Sequence, residues 1–131
     1  MSCRGIRGAT TCGDNTAPSI LAATDELLRA LVEANGVTAE DVAAVFFTCS
    51  ADLDAAFPAR AMRALGYVDT ALLCAREIDV PGAPARCVRV LLLVNTERPA
   101  SAMQHVYLHG ATVLRPDLAG ARQAAPAPSD D

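Results

Sequence analysis

The chain begins with an alternating segment that is followed by a long helical one. Residues 2–10 alternate between two faces, which is typical of a strand. From Ile20 onward, leucine, isoleucine and valine recur at three- and four-residue spacing, which predicts an amphipathic helix. Asn15 or Thr16 is suited to cap the start of this helix, and Asn35-Gly36 is suited to end it in a left-handed conformation.

The same patterns predict four further strands and one further helix. Each strand is a β-rich or alternating run bounded by turn-forming residues, and the helix combines a proline in its first turn with a closing glycine. These segments are strand two at 42–49, a helix from Pro58 to Gly66, strand three at 70–77, strand four at 87–95 and strand five at 105–110. In strand five the alternation places His105, Tyr107 and His109 on one face.

The composition indicates one globular domain. A length of 131 residues suits a single core, and we expect a domain at 1–118 followed by a disordered tail at 119–131, which is rich in Ala, Pro, Ser and Asp. A net charge of −4 and a pI near 5.0 argue against nucleic-acid binding. No apolar run approaches the length needed to cross a bilayer, and no secretory signal is visible, so we expect a soluble cytoplasmic protein.

The cysteine and histidine spacing does not favour a metal site. The five cysteines are odd in number and lie far apart without a C-x-x-C pair, which indicates neither a disulfide framework nor zinc. His105 and His109 are four residues apart and could share a metal on a helix, but their alternation with Val106 and Leu108 favours a strand. We therefore predict no metal and no cofactor.

Strand four carries a cation in an apolar segment. Arg89 shares a strand face with Cys87, Leu91 and Leu93, and a guanidinium in such surroundings needs an anion. The residues alone favour a structural ion pair, for which Glu77 at the end of strand three is the best carboxylate, over a bound ligand. All eleven basic residues are arginine, a side chain whose planar fork binds carboxylates bidentately.

Five blocks together resemble the monofunctional AroH-class chorismate mutases. They are RGIRGATT at 4–11, AFPARA at 56–61, RCVRV at 86–90, HVYL at 105–108 and VLRPDL at 113–118. The resemblance implies an α+β fold with a mixed five-stranded sheet and helices on one side. It also implies a homotrimer around a pseudo-barrel core, with active sites between subunits.

The resemblance also implies an activity, the rearrangement of chorismate to prephenate in phenylalanine and tyrosine biosynthesis, and a set of site residues. Arg89 is expected to meet the ether oxygen of chorismate. Arg7 and Tyr107 are expected to hold a carboxylate, and Leu114 and Arg115 to close the site. The ring-hydroxyl side would be formed by Leu73, Cys74, Ala75, Arg76 and Glu77, and the neighbouring subunit would add Phe57, Arg60 and Arg63.

Two positions depart from the pattern of this family. Arg60 stands where relatives carry lysine, which keeps the charge but changes its geometry. Leu73 stands where a polar residue is expected, so a side-chain contact with substrate is not implied there. The turn at 65–67 is one residue shorter than in relatives.

Two other functions remain open. The first is a non-catalytic trimer that binds a small carboxylate with the same arginines, against which the presence of both Arg89 and Glu77 argues. The second is a deaminase-like member of the wider group of trimeric α/β proteins, which should lack Tyr107 and Glu77 in these contexts. Because a pericyclic rearrangement needs no nucleophile, base or metal, the missing motifs for such chemistry agree with the mutase.

Overall fold

Five strands form a single mixed sheet in the computed structural model, which describes residues 1–117. The strands are β1 (Ser2–Thr11), β2 (Val42–Cys49), β3 (Ala71–Arg76), β4 (Cys87–Thr96) and β5 (Val106–Tyr107). Their order across the sheet is β3-β2-β4-β1-β5. β4 pairs antiparallel with β1 and β2, while β3 joins β2 and β5 joins β1 in parallel. The predicted mixed sheet is confirmed.

The long helix, α1 (Ala17–Asn35), has the predicted ends. The hydroxyl of Thr16 accepts a hydrogen bond from the backbone N–H of Ser19 at 3.2 Å, which satisfies one of the free donors of the first turn. Gly36 ends the helix with φ +60°, a conformation that a residue without a Cβ adopts at little cost. Local sequence therefore determines both ends of α1.

The helices cover one face of the sheet. The inward side of α1 packs with the short helix α2 (Ala59–Ala64) on a core that includes Ile6, Leu31 and Leu92, all fully buried. A Cβ on Gly8 would lie only 2.9 Å from a methyl carbon of Leu31, so this glycine permits the close approach of α1 to β1. Among residues 1–117, no helix is long and apolar enough to span a bilayer.

The opposite face of the sheet exposes apolar side chains. Phe46 on β2 pairs in register with Leu73 on β3 and with Leu91 on β4. These side chains are 38%, 58% and 37% exposed, so they form a contiguous apolar strip across three strands, hereafter the sheet-face strip. Large exposed apolar patches usually mark a site of interaction.

The predicted strand five is too long. β5 pairs only through Val106 and Tyr107, after which the backbone N–H of Leu108 bonds to the carbonyl of Ala9 and the chain turns away. His109 has φ +51° and begins a 3₁₀ helix over His109–Leu114. The prediction that His109 shares a strand face with Tyr107 is therefore wrong. The predicted tail at 119–131 lies outside the described residues.

Candidate active site

β1, β4, β5 and the end of the 3₁₀ helix at His109–Leu114 bring five of the predicted site residues to one cavity. This arginine cavity has a volume of about 190 Å³, and Ala9 of β1 lies directly opposite Arg89 of β4. The predicted residues that line it are Arg7, Arg89, Tyr107, Leu114 and Arg115. The fold thus collects side chains as far apart in the sequence as Arg7 and Arg115.

Glu77 is the carboxylate that faces Arg89, as the strand pattern predicted. Its Oε1 lies 3.5 Å from the Nε of Arg89, and both residues line a second cavity of about 220 Å³ beside the arginine cavity. The same Oε1 accepts a hydrogen bond of 2.6 Å from the hydroxyl of Thr48 on β2. Arg89 lines both cavities, so its guanidinium stands between the carboxylate of Glu77 and the space beside Arg7.

His105 is hydrogen-bonded to the backbone of Arg7, beside the arginine cavity. Its Nδ1 accepts a hydrogen bond of 2.9 Å from the backbone N–H of Arg7, and the imidazole is buried. Burial lowers the pKa of His105, and the charges of Arg7 and Arg115 lower it further. A neutral imidazole fits this role, because Nδ1 can accept a hydrogen bond only when it carries no proton.

Arg115 is paired within its own turn. Its guanidinium binds the carboxylate of Asp117 through two nitrogens, at 3.2 and 3.0 Å, and its side chain is 17% exposed. This fork-to-fork geometry fixes the orientation of the guanidinium beside Leu114. Arg115 therefore borders the cavity as a positioned cation.

A larger cavity of about 490 Å³ holds a separate group of predicted residues. This Phe57 cavity lies between the loop that precedes α2 and the end of β3. The predicted residues that line it are Phe57, Arg60, Cys74, Ala75 and Arg76. Phe57 is 70% exposed, so its ring lies on the surface of the isolated chain.

The structure divides the predicted residues differently from the sequence-based grouping. Cys74, Ala75 and Arg76 were expected to form one wall with Glu77, but they lie in the Phe57 cavity, whereas Glu77 lies with Arg89. Glu77 follows the last residue of β3, and its carboxylate contacts Thr48 and Arg89 instead of the Phe57 cavity. Arg63 and Leu73 are exposed and line neither cavity.

Burial favours the protonated form of three cysteine thiols, those of Cys12, Cys49 and Cys87. Burial raises the pKa of Cys12 to about 11 and that of Cys49 to about 12, and burial also raises the pKa of Cys87 beside Arg89. A thiol rather than a thiolate is a weak nucleophile. Within residues 1–117, no group of three or more His, Cys, Asp and Glu residues is placed to hold a metal ion.

Comparison with known proteins identifies the family. The model of the family "Chorismate mutase type I" matches residues 3–118. The chain belongs to the type I chorismate mutase family.

Named relatives agree with this assignment. The chain is 50% identical over 120 residues to the chorismate mutase AroH of Thermus thermophilus, which covers 91% of this chain and 98% of that protein. It is 43% identical over 119 residues to the chorismate mutase AroH of Bacillus subtilis strain 168, which covers 90% and 94%. The fold matches a chorismate mutase from Clostridium thermocellum with a TM-score of 0.82 at 50% identity, over 83% of this chain and 97% of that chain.

These comparisons confirm three of the sequence-based predictions: the family, the fold class and the enzyme class, an isomerase with chorismate mutase activity. For such an enzyme, the sequence-based reasoning missed two features of the site. Thr48 was included only as a member of the β-rich run at 42–49, although a hydroxyl residue next to Val45, Phe46 and Phe47 was a signal of the same kind as Arg89. His105 was weighed only as a metal ligand, and its bond to the backbone of Arg7 depends on the β1–β5 pairing.

Proposed function

We propose that this chain rearranges chorismate to prephenate, in the biosynthesis of phenylalanine and tyrosine, by binding the chorismate dianion beside Arg89. The observation that carries the proposal is the placement of Arg7, Arg89 and Tyr107 around one cavity in a member of the type I chorismate mutase family. Two arginines and a phenol suit a substrate with two carboxylates and an ether oxygen.

The reaction is unimolecular and pericyclic, so the protein has to hold the flexible substrate in its compact reactive conformer and stabilise the separating charge. Arg7 and Tyr107 would bind one carboxylate, and the Asp117-oriented Arg115 would close the site with Leu114. Glu77 would face the ring, on which positive charge develops as the ether bond breaks.

Arg89 would act as a fixed cation for the ether oxygen. Negative charge grows on that oxygen in the transition state, and a donor already in place stabilises it more there than in the bound substrate. A millionfold acceleration corresponds to about 8 kcal/mol, of which one such donor typically supplies about 3 to 4 kcal/mol. Restriction of the substrate to its reactive conformer would supply the remainder.

We propose that three copies of the chain assemble through the sheet-face strip. The helices leave this apolar face uncovered, and Phe46, Leu73 and Leu91 would be buried against the neighbouring sheets of a pseudo-barrel. In a closed cyclic assembly, each subunit uses two different surfaces toward its two neighbours.

The same assembly would complete the active site. The arginine cavity and the Phe57 cavity each hold only part of the predicted set, and both are open to the surface of the single chain. We infer that Phe57 and Arg60 of one subunit face the arginine cavity of the next, and that Cys74, Ala75 and Arg76 come with them. We assign Arg63 to this neighbouring contribution and Leu73 to the subunit contact.

Two further proposals concern the extent of the catalytic domain and the location of the enzyme in the cell. We propose that residues 1–118 form the single catalytic domain. We also propose that the enzyme works in the cytoplasm, which agrees with its five free cysteines, because thiols stay reduced there.

The direct test is incubation of the purified protein with chorismate while the ultraviolet absorbance of chorismate is followed. We expect the absorbance to fall and prephenate to form as the product, with no metal or cofactor added. A folded protein that binds chorismate without consuming it would instead be the non-catalytic carboxylate binder.

A further inference from the structure

The hydroxyl of Thr48 binds the carboxylate of the Glu77–Arg89 pair. Thr48 stands on β2 directly opposite Arg89 on β4, and its hydroxyl donates to Oε1 of Glu77 at 2.6 Å. The Nε of Arg89 approaches this same oxygen but stops at 3.5 Å. One carboxylate oxygen is therefore shared by a short hydrogen bond from Thr48 and a longer ionic contact with Arg89.

Among residues 1–117, the Glu77 carboxylate has one further hydrogen bond besides the bond from Thr48 and the contact with Arg89. It follows the last residue of β3, and its backbone N–H is bonded to the carbonyl of Cys49 at 2.9 Å. Its second oxygen, Oε2, accepts a longer bond of 3.3 Å from the N–H of Ile78, whose side chain is 76% exposed. The backbone of Glu77 is anchored, whereas its carboxylate depends on Thr48 for the short contact.

Electrostatic attraction alone would draw Glu77 closer to Arg89. Arginine and a carboxylate ordinarily form bonds of about 2.7–2.9 Å, yet here the buried Nε of Arg89 makes no hydrogen bond to residues 1–117. A fully closed pair would occupy guanidinium donors that the reacting ether oxygen needs. The bond from Thr48 holds Oε1 at 3.5 Å from the Nε of Arg89, which is too far for a hydrogen bond between the carboxylate and this nitrogen.

We propose that Thr48 is a positioning residue whose hydroxyl keeps Glu77 from closing on Arg89 and so leaves the guanidinium available to the substrate. The inference rests on the roles proposed above for Glu77 and Arg89. It assigns to Thr48 a function through Glu77 and no contact with the substrate of its own.

The first test compares Thr48→Val, which keeps the shape and removes the hydroxyl, with Thr48→Ser, which keeps the hydroxyl. Because the lost bond goes to a charged group, we expect Thr48→Val to lower kcat about tenfold with KM changed less than about threefold. Thr48→Ser should restore kcat to within about threefold of the wild type. Wild-type kcat in Thr48→Val would overturn the proposal.

A second test separates positioning from general damage to the fold. In a Glu77→Ala background the carboxylate is gone, so adding Thr48→Val should change kcat by less than about twofold. A tenfold loss that persists in that background would mean that Thr48 does not act through Glu77, which contradicts the proposal.

A third measurement does not depend on turnover. In a crystal structure of Thr48→Val, we expect a Glu77 oxygen to lie within hydrogen-bond distance of an Arg89 nitrogen, below about 3.2 Å. An unchanged separation would overturn the positioning role whatever the activity of the chain. An inactive wild-type protein would instead overturn the proposed function and leave this structural comparison to decide the role of Thr48.

Discussion

Oε1 of Glu77 lies 3.5 Å from Nε of Arg89, and the two side chains remain 26% and 32% exposed. The sequence pattern favoured a structural ion pair at this position, and the pair is present. It is nevertheless longer than a charge-assisted hydrogen bond, and it opens onto a cavity. A cation that is paired and still accessible can bind a ligand and also stabilise the fold.

Arg7→Ala should mainly raise KM. A carboxylate contact made in both the bound substrate and the transition state lowers their free energies equally, so its loss weakens binding with a smaller effect on kcat. We expect KM to rise about tenfold or more, since hydrogen bonds to charged groups contribute about 1.5–3 kcal/mol. Steady-state kinetics with chorismate measure this, and a loss confined to kcat would contradict the assigned role.

Mixed trimers should recover activity if the two cavities belong to one composite site. Arg89→Ala inactivates the arginine cavity, and Arg60→Glu places a carboxylate in the Phe57 cavity where the dianion would bind. In a trimer that contains both variants, one of the three interfaces joins the intact arginine cavity of an Arg60→Glu subunit to the intact Phe57 cavity of an Arg89→Ala subunit. Random mixing should therefore restore about a quarter of the wild-type sites.

This complementation is measured after refolding the two variants together, with each refolded alone as the control. Activity no greater than the sum of the separate variants would mean that each site lies within one chain. That result would contradict the composite site and the division of residues on which it rests.

Phe46→Asp should break the proposed trimer. The new carboxylate would be buried against neighbouring subunits without a partner, which costs several kcal/mol. We expect sedimentation to show monomers in place of trimers. Arg29→Asp, on the exposed side of α1, adds a carboxylate away from the sheet and is the matched control. A trimeric Phe46→Asp protein would contradict assembly through the sheet-face strip.

His105 should make the fold sensitive to acid. Burial, with Arg7 and Arg115, lowers its pKa in the folded chain, so below about pH 6.5 the unfolded chain binds the proton more readily. The stability that depends on neutral His105 is present above that pH and is lost as the pH falls toward the lowered pKa.

Urea unfolding at fixed protein concentration, at pH 7.5 and pH 5.5, measures this effect. His105→Asn replaces Nδ1 with an oxygen that can still accept from the N–H of Arg7, and it should lose less stability between the two pH values than the wild type. An equal loss in both proteins would show that other groups cause the acid sensitivity.

Local patterns were sufficient to predict elements whose ends depend on nearby residues. The Thr16 cap and the left-handed Gly36 define α1, and the predicted bounds of strand two match β2. The length of β5 could not be predicted in this way. Its alternation continues past Tyr107, but β1 offers parallel partners only at Gly8 and Ala9 before the chain turns at His109.

The residues of the candidate site were predicted from the family resemblance, but the predicted grouping of Cys74, Ala75 and Arg76 with Glu77 differs from their arrangement in the single chain. Whether Cys74 lies beside Glu77 or beside Phe57 depends on which face of β3 each side chain takes at the end of the strand. Thr48 was missed because a single strand does not show that its hydroxyl will meet the carboxylate of Glu77 at the end of the neighbouring strand β3. Such relationships arise from register and tertiary packing.

The turnover number of Arg89→Ala is the decisive measurement, because Arg89 is the cation that we assign to the ether oxygen. With the variant folded and trimeric, and with Arg29→Ala as a surface arginine control, we expect kcat for chorismate to fall at least ~10²-fold. A kcat close to that of the wild type would contradict the claim that Arg89 stabilises the transition state.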